Sequence, residues 1–141
     1  MDERFLFRGK RKDNGELVEG YLYITHDGKY EIAKYCDETN IERIAYEVIP
    51  KTVGQCTGLE DKNGKLIFTG DILESRASEN KEDWKKWVVT FSDGSFCFER
   101  EIPRKRKHKY EQNLLCIDEI ELYGLIVIGN IHDDDLLEVE I

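Results

Sequence analysis

The chain has 141 residues, of which 40% are apolar and 36% charged, and its formal net charge is −9. This length fits one domain or two small subdomains, and it leaves no room for a second domain of enzyme size. No apolar run approaches the length of about 18 residues that a membrane span needs, and residues 1–4 lack the basic region that begins a secretory signal. We therefore expect a protein that stays in the cytoplasm.

Turn signals at short spacing separate segments rich in aromatic and β-branched residues, which is typical of antiparallel hairpins. The turns are Asp13-Asn14-Gly15, Asp27-Gly28, Asn63-Gly64 and Asp93-Gly94. The strands predicted around them are 4–9, 17–24, 29–33, 44–49, 65–68, 72–74, 86–91 and 95–100. Asn63-Gly64 predicts a two-residue hairpin turn with both residues at positive φ. The protein is therefore expected to be mainly β.

The last third of the chain contains the candidates for helix. Residues 113–124 are balanced between helix and strand, and a helix there would have Asn113 as N-cap and Gly124 as its C-terminal stop. The four apolar residues 125–128 predict a strand in the centre of the core. Residues 133–137 could close one capped helical turn. Helices are therefore expected to be few and short.

The order of elements from Gly70 to Gly94 is similar to that of SH3-like barrels: a short strand, a long loop, a second strand and a tight turn. We therefore predict a mainly β fold class, a small antiparallel barrel-like fold with SH3-like features and few short helices. A single domain over residues 1–141 is expected. The alternative is two small β subdomains, about 1–50 and 51–141, that share a core.

No constellation of residues indicates catalysis, a metal site or a cofactor. The four cysteines lack C-x-x-C spacing, and no histidine accompanies a recognisable nucleophile motif. Five polar residues lie close together in sequence, and two of them, Asp61 and Asp71, are carboxylates able to support acid-base work. The other three are Thr52, Gln55 and Thr57. Hydrogen bonds from such side chains to backbone groups in turns explain them without a ligand, and this interpretation is favoured.

Charge is unevenly distributed along the chain. Residues 1–110 hold equal numbers of acidic and basic side chains, whereas residues 111–141 hold nine acids and no Lys or Arg. Just before this boundary lies a basic run that can neutralise several phosphates, with Trp84, Trp87 and Tyr110 as candidate stacking surfaces. The candidate nucleic-acid-binding residues are Arg104, Lys105, Arg106, Lys107, Lys109, Trp84 and Trp87. The alternative is a solvated loop, because the sequence pI of about 4.9 opposes a domain-wide positive field.

Several segments, in order along the chain, resemble the YopX-like proteins of bacteriophages and prophages. They are Phe5–Lys10, Gly15–Tyr21, Val48–Ile72, Val89–Phe96 and Val127–Ile131. Leu17 stands where relatives often carry tryptophan, and Asp135 where proline is common. The basic run matches no family motif. The resemblance implies a phage setting and a mostly β fold, and it implies no established activity.

We therefore expect a non-enzymatic interaction module that acts on a host or phage protein. The first alternative is a nucleic-acid-binding β-barrel protein that uses residues 104–109, and the second is a small enzyme with a carboxylate site at Asp61 and Asp71. Edge strands of a small β fold also favour self-association, so a homo-oligomer is a further expectation.

Overall fold

The computed structural model describes residues 5–34, 44–104 and 107–133. It divides into two compact units, Met1–Gly58 and Leu59–Ile141. The boundary lies within a strand, whereas the sequence placed an alternative division at about residue 50. Each unit contains its own cluster of buried apolar side chains.

The N-terminal unit is an antiparallel sheet with strand order β4-β3-β2-β1-β5. Its strands are β1 (Phe7–Lys10), β2 (Leu17–Ile24), β3 (Tyr30–Lys34), β4 (Ile44–Glu47) and β5 (Gly54–Glu60), the last of which continues into the second unit. Val18, Ile32 and Val48 form its buried cluster. Gly20 in β2 is required by close packing, because a Cβ there would lie 2.2 Å from the carbonyl oxygen of Ala33.

The C-terminal unit is built on a sheet with strand order β10-β9-β8-β7-β11, in which every pairing is antiparallel. Its elements are β6 (Leu66–Phe68), β7 (Asp71–Ser75), β8 (Lys86–Ser92), β9 (Ser95–Arg104), β10 (Lys107–Leu114), α1 (Ile117–Tyr123) and β11 (Leu125–Asn130). The buried cluster is the larger of the two and comprises Ile67, Leu73, Trp87, Val89, Phe98, Leu115, Ile120 and Leu125.

The prediction of a mainly β, antiparallel fold is confirmed, but the described strands form two open sheets, and no closed barrel is found among them to match the predicted barrel-like fold. Closure requires the two outer strands of a sheet to pair with each other. In the C-terminal unit these strands are β10 and β11, and each has one partner among the described residues. The SH3-like feature is therefore not confirmed. Within the described ranges, no helix is both long and apolar enough to span a bilayer.

Both alternatives left open for residues 113–124 occur in part: residues 113 and 114 end strand β10, and the helix covers Ile117–Tyr123. Asn113 lies in β10 and Cys116 is the N-cap residue, so the predicted cap was wrong. The helix ends at Gly124 as predicted, with φ +58°. A Cβ at this position would also lie 2.9 Å from the backbone nitrogen of Ala77, so both conformation and space require glycine.

The apolar run 125–128 forms strand β11 as predicted, but this strand lies at the edge of its sheet and only Leu125 of the run belongs to the buried cluster. Leu125 is fully buried, whereas residues 126–128 are half-buried. The pairing with β7 shifts register between Val127 and Gly129, as in a β-bulge. Residues 134–137, at which a helical turn was predicted to close, lie outside the described residues.

The hairpin at Asn63-Gly64 exists, but its turn differs from the predicted type. Gly64 has φ +81°, whereas Asp93 is the one non-glycine residue at positive φ in the described ranges. The Gly64 N–H donates to the carbonyl of Asp61 over 3.0 Å, which closes a four-residue turn. The side chain of Asp61 shapes this turn.

Candidate functional site

Asp61 joins the β5–β6 turn to strand β11. Its Oδ1 accepts hydrogen bonds from the backbone N–H groups of Asn63 (2.8 Å) and Lys65 (2.9 Å). Its Oδ2 accepts from the N–H of Val127 over 2.8 Å, although 66 positions separate the two residues. The side chain is almost fully buried. The carboxylate is therefore part of the framework of the C-terminal unit.

Asp71 opens β7 and is fully buried, with 0% exposure. Its Oδ2 accepts the backbone N–H of Phe68 over 2.8 Å, and its Oδ1 accepts the side-chain amide of Asn130 over 3.1 Å. The Oδ1 of Asn130 in turn accepts the N–H of His132 over 2.9 Å. This second carboxylate links the start of β7 to the end of β11.

The remaining polar residues of the same sequence block lie in the N-terminal unit. Thr52 ends a 3-10 helix, and its Oγ1 accepts the N–H of Lys10 (2.9 Å) while donating to the carbonyl of Ile49 (2.6 Å). Gln55 and Thr57 lie in β5, half-buried and buried respectively. Thr52 and both carboxylate oxygens of Asp61 and of Asp71 are thus hydrogen-bonded to other groups of the protein, as is typical of turn and cap residues.

The Cys97 thiol and the grouping of possible metal ligands can be described from the structure. The thiol of Cys97 is buried, and desolvation there, with a smaller effect of Glu99, raises its pKa above the ordinary value. A raised pKa lowers the fraction of reactive thiolate. In residues 5–34, 44–104 and 107–133, no three His, Cys, Asp or Glu side chains are grouped to hold a metal ion.

The predicted basic loop is a β-hairpin that continues beyond its sheet. Strand β9 pairs with β8 over Ser95–Glu99, whereas its pairing with β10 extends to Arg104, whose register partner is Lys107. Lys109 is the register partner of Ile102. We call residues 100–111 the basic arm. Lys105 and Arg106 lie outside the described residues.

The base of the arm is held by an ion pair and an aromatic ring. Arg100 and Glu111 are register partners, and the Arg100 Nε lies 4.0 Å from a carboxylate oxygen of Glu111. The guanidinium carbon of Arg100 also lies 5.5 Å from the centroid of the Trp87 ring. The arm therefore begins at the core of the C-terminal unit.

Trp87 presents no open ring to a base, and the ring of Trp84 is already in contact with a cation. Trp87 is 3% exposed and packs edge-on against Phe98, with ring centroids 4.8 Å apart. Burial of this ring argues against the predicted stacking role. Trp84 is half-buried, its Nε1 donates to the carbonyl of Ser78 over 2.8 Å, and the Arg76 guanidinium lies 4.8 Å from its ring centroid.

A second surface, which was not predicted from the sequence, lies on helix α1. Ile117 and Leu122 are 62% and 66% exposed, although both are large and apolar. Asp118 and Glu121 are also exposed. Because residues four apart are neighbours on a helix, Glu121 lies beside Ile117 and Asp118 lies beside Leu122. We call these four residues the acidic helix surface. The run of acids without Lys or Arg after residue 110 was its signal in the sequence.

Fold and site together define a small, mainly β protein with two antiparallel sheets, buried carboxylates within the framework and an extended basic hairpin. The sequence matches the family model described as YopX protein over residues 6–138, which is nearly the whole chain. The chain belongs to the YopX family. A search of curated proteins found no match.

Proposed function

We propose that this chain is a non-enzymatic interaction module of a phage or prophage and that it binds a host or phage protein in the bacterial cytoplasm. The acidic helix surface carries the proposal, because two large apolar side chains are more than 60% exposed next to two carboxylates. Exposed apolar groups rimmed by charge mark protein interaction sites.

The chemistry of this surface indicates the partner. Burial of an exposed Ile or Leu side chain contributes about 1.5–3 kcal/mol each, so Ile117 and Leu122 can anchor a contact. The two carboxylates favour a positively charged partner and disfavour an acidic one. The expected partner is therefore a protein with a basic surface around an apolar groove.

Affinity capture from host and phage lysates tests this proposal. The double variant Ile117→Lys/Leu122→Lys should lose the specific partner, because it removes both apolar anchors and neutralises the negative charge of the surface. Leu17→Lys/Ile24→Lys is a matched control, since both residues are exposed apolar positions of the N-terminal unit. A partner retained by the helix variant and lost by the control would contradict the proposal. Capture of further copies of this chain, and of no other protein, would identify a second copy as the partner.

Nucleic acid is the second candidate partner, and the register of the basic arm favours it. Arg104 and Lys107 are paired across the hairpin, and Lys109 lies two positions further along β10. Cations held on paired strands can contact several phosphates at once, with release of counterions. Binding to labelled nucleic acid that weakens steeply with salt would support this candidate, and absence of binding at low salt would oppose it.

A further inference from the structure

We infer that the turn between β5 and β6 closes the outer edge of strand β11 against the addition of a further strand, and that the strand it excludes is β11 of a second copy of this chain. Strand β11 (Leu125–Asn130) pairs with β7 and is the last strand of its sheet among the described residues. An edge strand offers its outward N–H and C=O groups to any strand that approaches. This edge is a different surface from helix α1, so the proposed function does not depend on it.

The composition of β11 favours pairing with a copy of itself. Its first four residues are aliphatic, and the strand contains no charged residue and no proline. Lysine and proline are the residues with which edge strands commonly prevent pairing. Short uncharged segments of high β propensity stack readily against identical segments. Protection of this edge must therefore come from outside the strand.

The β5–β6 turn occupies two outward groups of β11. The N–H of Lys62 donates to the carbonyl of Leu125 over 3.0 Å, and the Oδ2 of Asp61 accepts the N–H of Val127 over 2.8 Å. In a parallel pair of strands, a single residue makes both bonds, donating to one residue and accepting from the second residue after it. The turn therefore engages the groups that a neighbouring strand would use, with a carboxylate in place of a backbone carbonyl.

The carboxylate of Asp61 is held in this position by its other oxygen. Its Oδ1 accepts the N–H groups of Asn63 (2.8 Å) and Lys65 (2.9 Å), and the residue is only 6% exposed. A carboxylate satisfies the Val127 N–H without presenting a row of backbone N–H and C=O groups of its own. Asp61 therefore closes the edge without creating a new one at this point.

Sedimentation velocity and hydrogen exchange on the full chain test the inference. Asp61→Ala should self-associate at least about tenfold more tightly than wild type, because it frees the Val127 N–H at an apolar strand edge. Protection of residues 125–130 from exchange should then rise with protein concentration. Asp61→Asn keeps an acceptor for the turn and places an amide group opposite Val127. It should show the same change, and it replaces the alanine variant if that variant does not fold.

Two control variants separate exposure of the edge from loss of stability. Val89→Ala leaves a cavity in the core and lowers stability while the Asp61 bonds remain, so it should associate as wild type does. Asp61→Ala/Ile126→Lys places a charge on the exposed edge strand and should restore wild-type association. Ile126 is half-buried and is the register partner of Glu74, so a lysine gains an opposite charge across the strands.

Three results would overturn the inference. The first is that Asp61→Ala and Asp61→Asn are folded and associate no more tightly than wild type. The second is equal association of Val89→Ala, because the cause would then be loss of stability. The third is association that Ile126→Lys does not reverse, or protection that rises only outside residues 125–130, because the contact would then lie elsewhere. None of these results changes the expected partner of the acidic helix surface.

Discussion

The block around Asp61 and Asp71 and the basic arm are both rich in charged residues, yet they use charge in opposite ways. In the first region the carboxylates are buried and accept hydrogen bonds from backbone N–H groups and from Asn130. In the second region the charges lie on a hairpin that continues past its sheet. Charged groups that are hydrogen-bonded within the fold stabilise its architecture, whereas the charges of the arm are those that the nucleic-acid candidate would use.

Replacement of Asp71 should have the largest effect on stability. Asp71→Ala leaves the Phe68 N–H and the Asn130 amide without their acceptor in a fully buried site, and we expect a loss of about 3 kcal/mol in the free energy of unfolding. Urea denaturation followed by tryptophan fluorescence measures it, because both tryptophans lie in the C-terminal unit. Asp71→Asn keeps one acceptor oxygen and should lose less.

Asp61→Ala should cost somewhat less, about 2 kcal/mol, because solvent can reach part of the turn that its Oδ1 closes. Asp61→Asn is the informative control. It keeps an acceptor for the turn, but an amide group replaces the oxygen that accepts from Val127. Unchanged stability after alanine substitution at both Asp61 and Asp71 would contradict the architectural interpretation and favour a carboxylate site.

Thr52→Val tests the same principle in the N-terminal unit. It removes the acceptor of the Lys10 N–H while keeping the shape of the side chain, and we expect a loss of about 1 kcal/mol. The N-terminal unit contains no tryptophan, so far-UV circular dichroism during urea denaturation is the suitable measurement. Thr52→Ser retains the hydroxyl and should remain close to wild type.

The arm variant Arg104→Ala/Lys107→Ala/Lys109→Ala should have the smallest effect on stability, within about 0.5 kcal/mol of wild type, if these charges serve a partner and not the framework. The same urea titration measures it. A loss comparable to that of Asp71→Ala would place these charges in the framework and remove the contrast between the two regions.

Strands with a regular apolar pattern were predictable from the sequence, and strands without one were not. The predicted bounds of β2, Leu17–Ile24, agree with the structure, because its aromatic and aliphatic residues lie between two clear turns. Strand β5 was missed, since its Gly54 and Gly58 are typical of turns. Strand β10 was missed because a hairpin beyond its sheet needs no apolar face, and Lys107–Asn113 has none.

The candidate site was predictable in its residue types and not in its geometry. The sequence singled out Asp61 and Asp71 and favoured turn chemistry, but the bond from Asp61 to Val127 spans 66 positions and depends on the tertiary fold. For the two tryptophans, three positions apart in sequence, only the fold shows that Trp87 is buried and that Trp84 contacts Arg76. The acidic helix surface was not predicted, because the sequence pattern of residues 113–124 fits a helix and a strand equally well.

Strand β11 has a consequence for the order in which the protein acquires its structure during synthesis. Both buried carboxylates depend on it, Asp61 through Val127 and Asp71 through Asn130, and the Ile131 N–H also donates to the carbonyl of Gly70. A ribosome makes the carboxylates about sixty residues before these partners. The C-terminal unit therefore completes its fold only after residue 131 has emerged, and a nascent chain stalled earlier should remain sensitive to protease in this region.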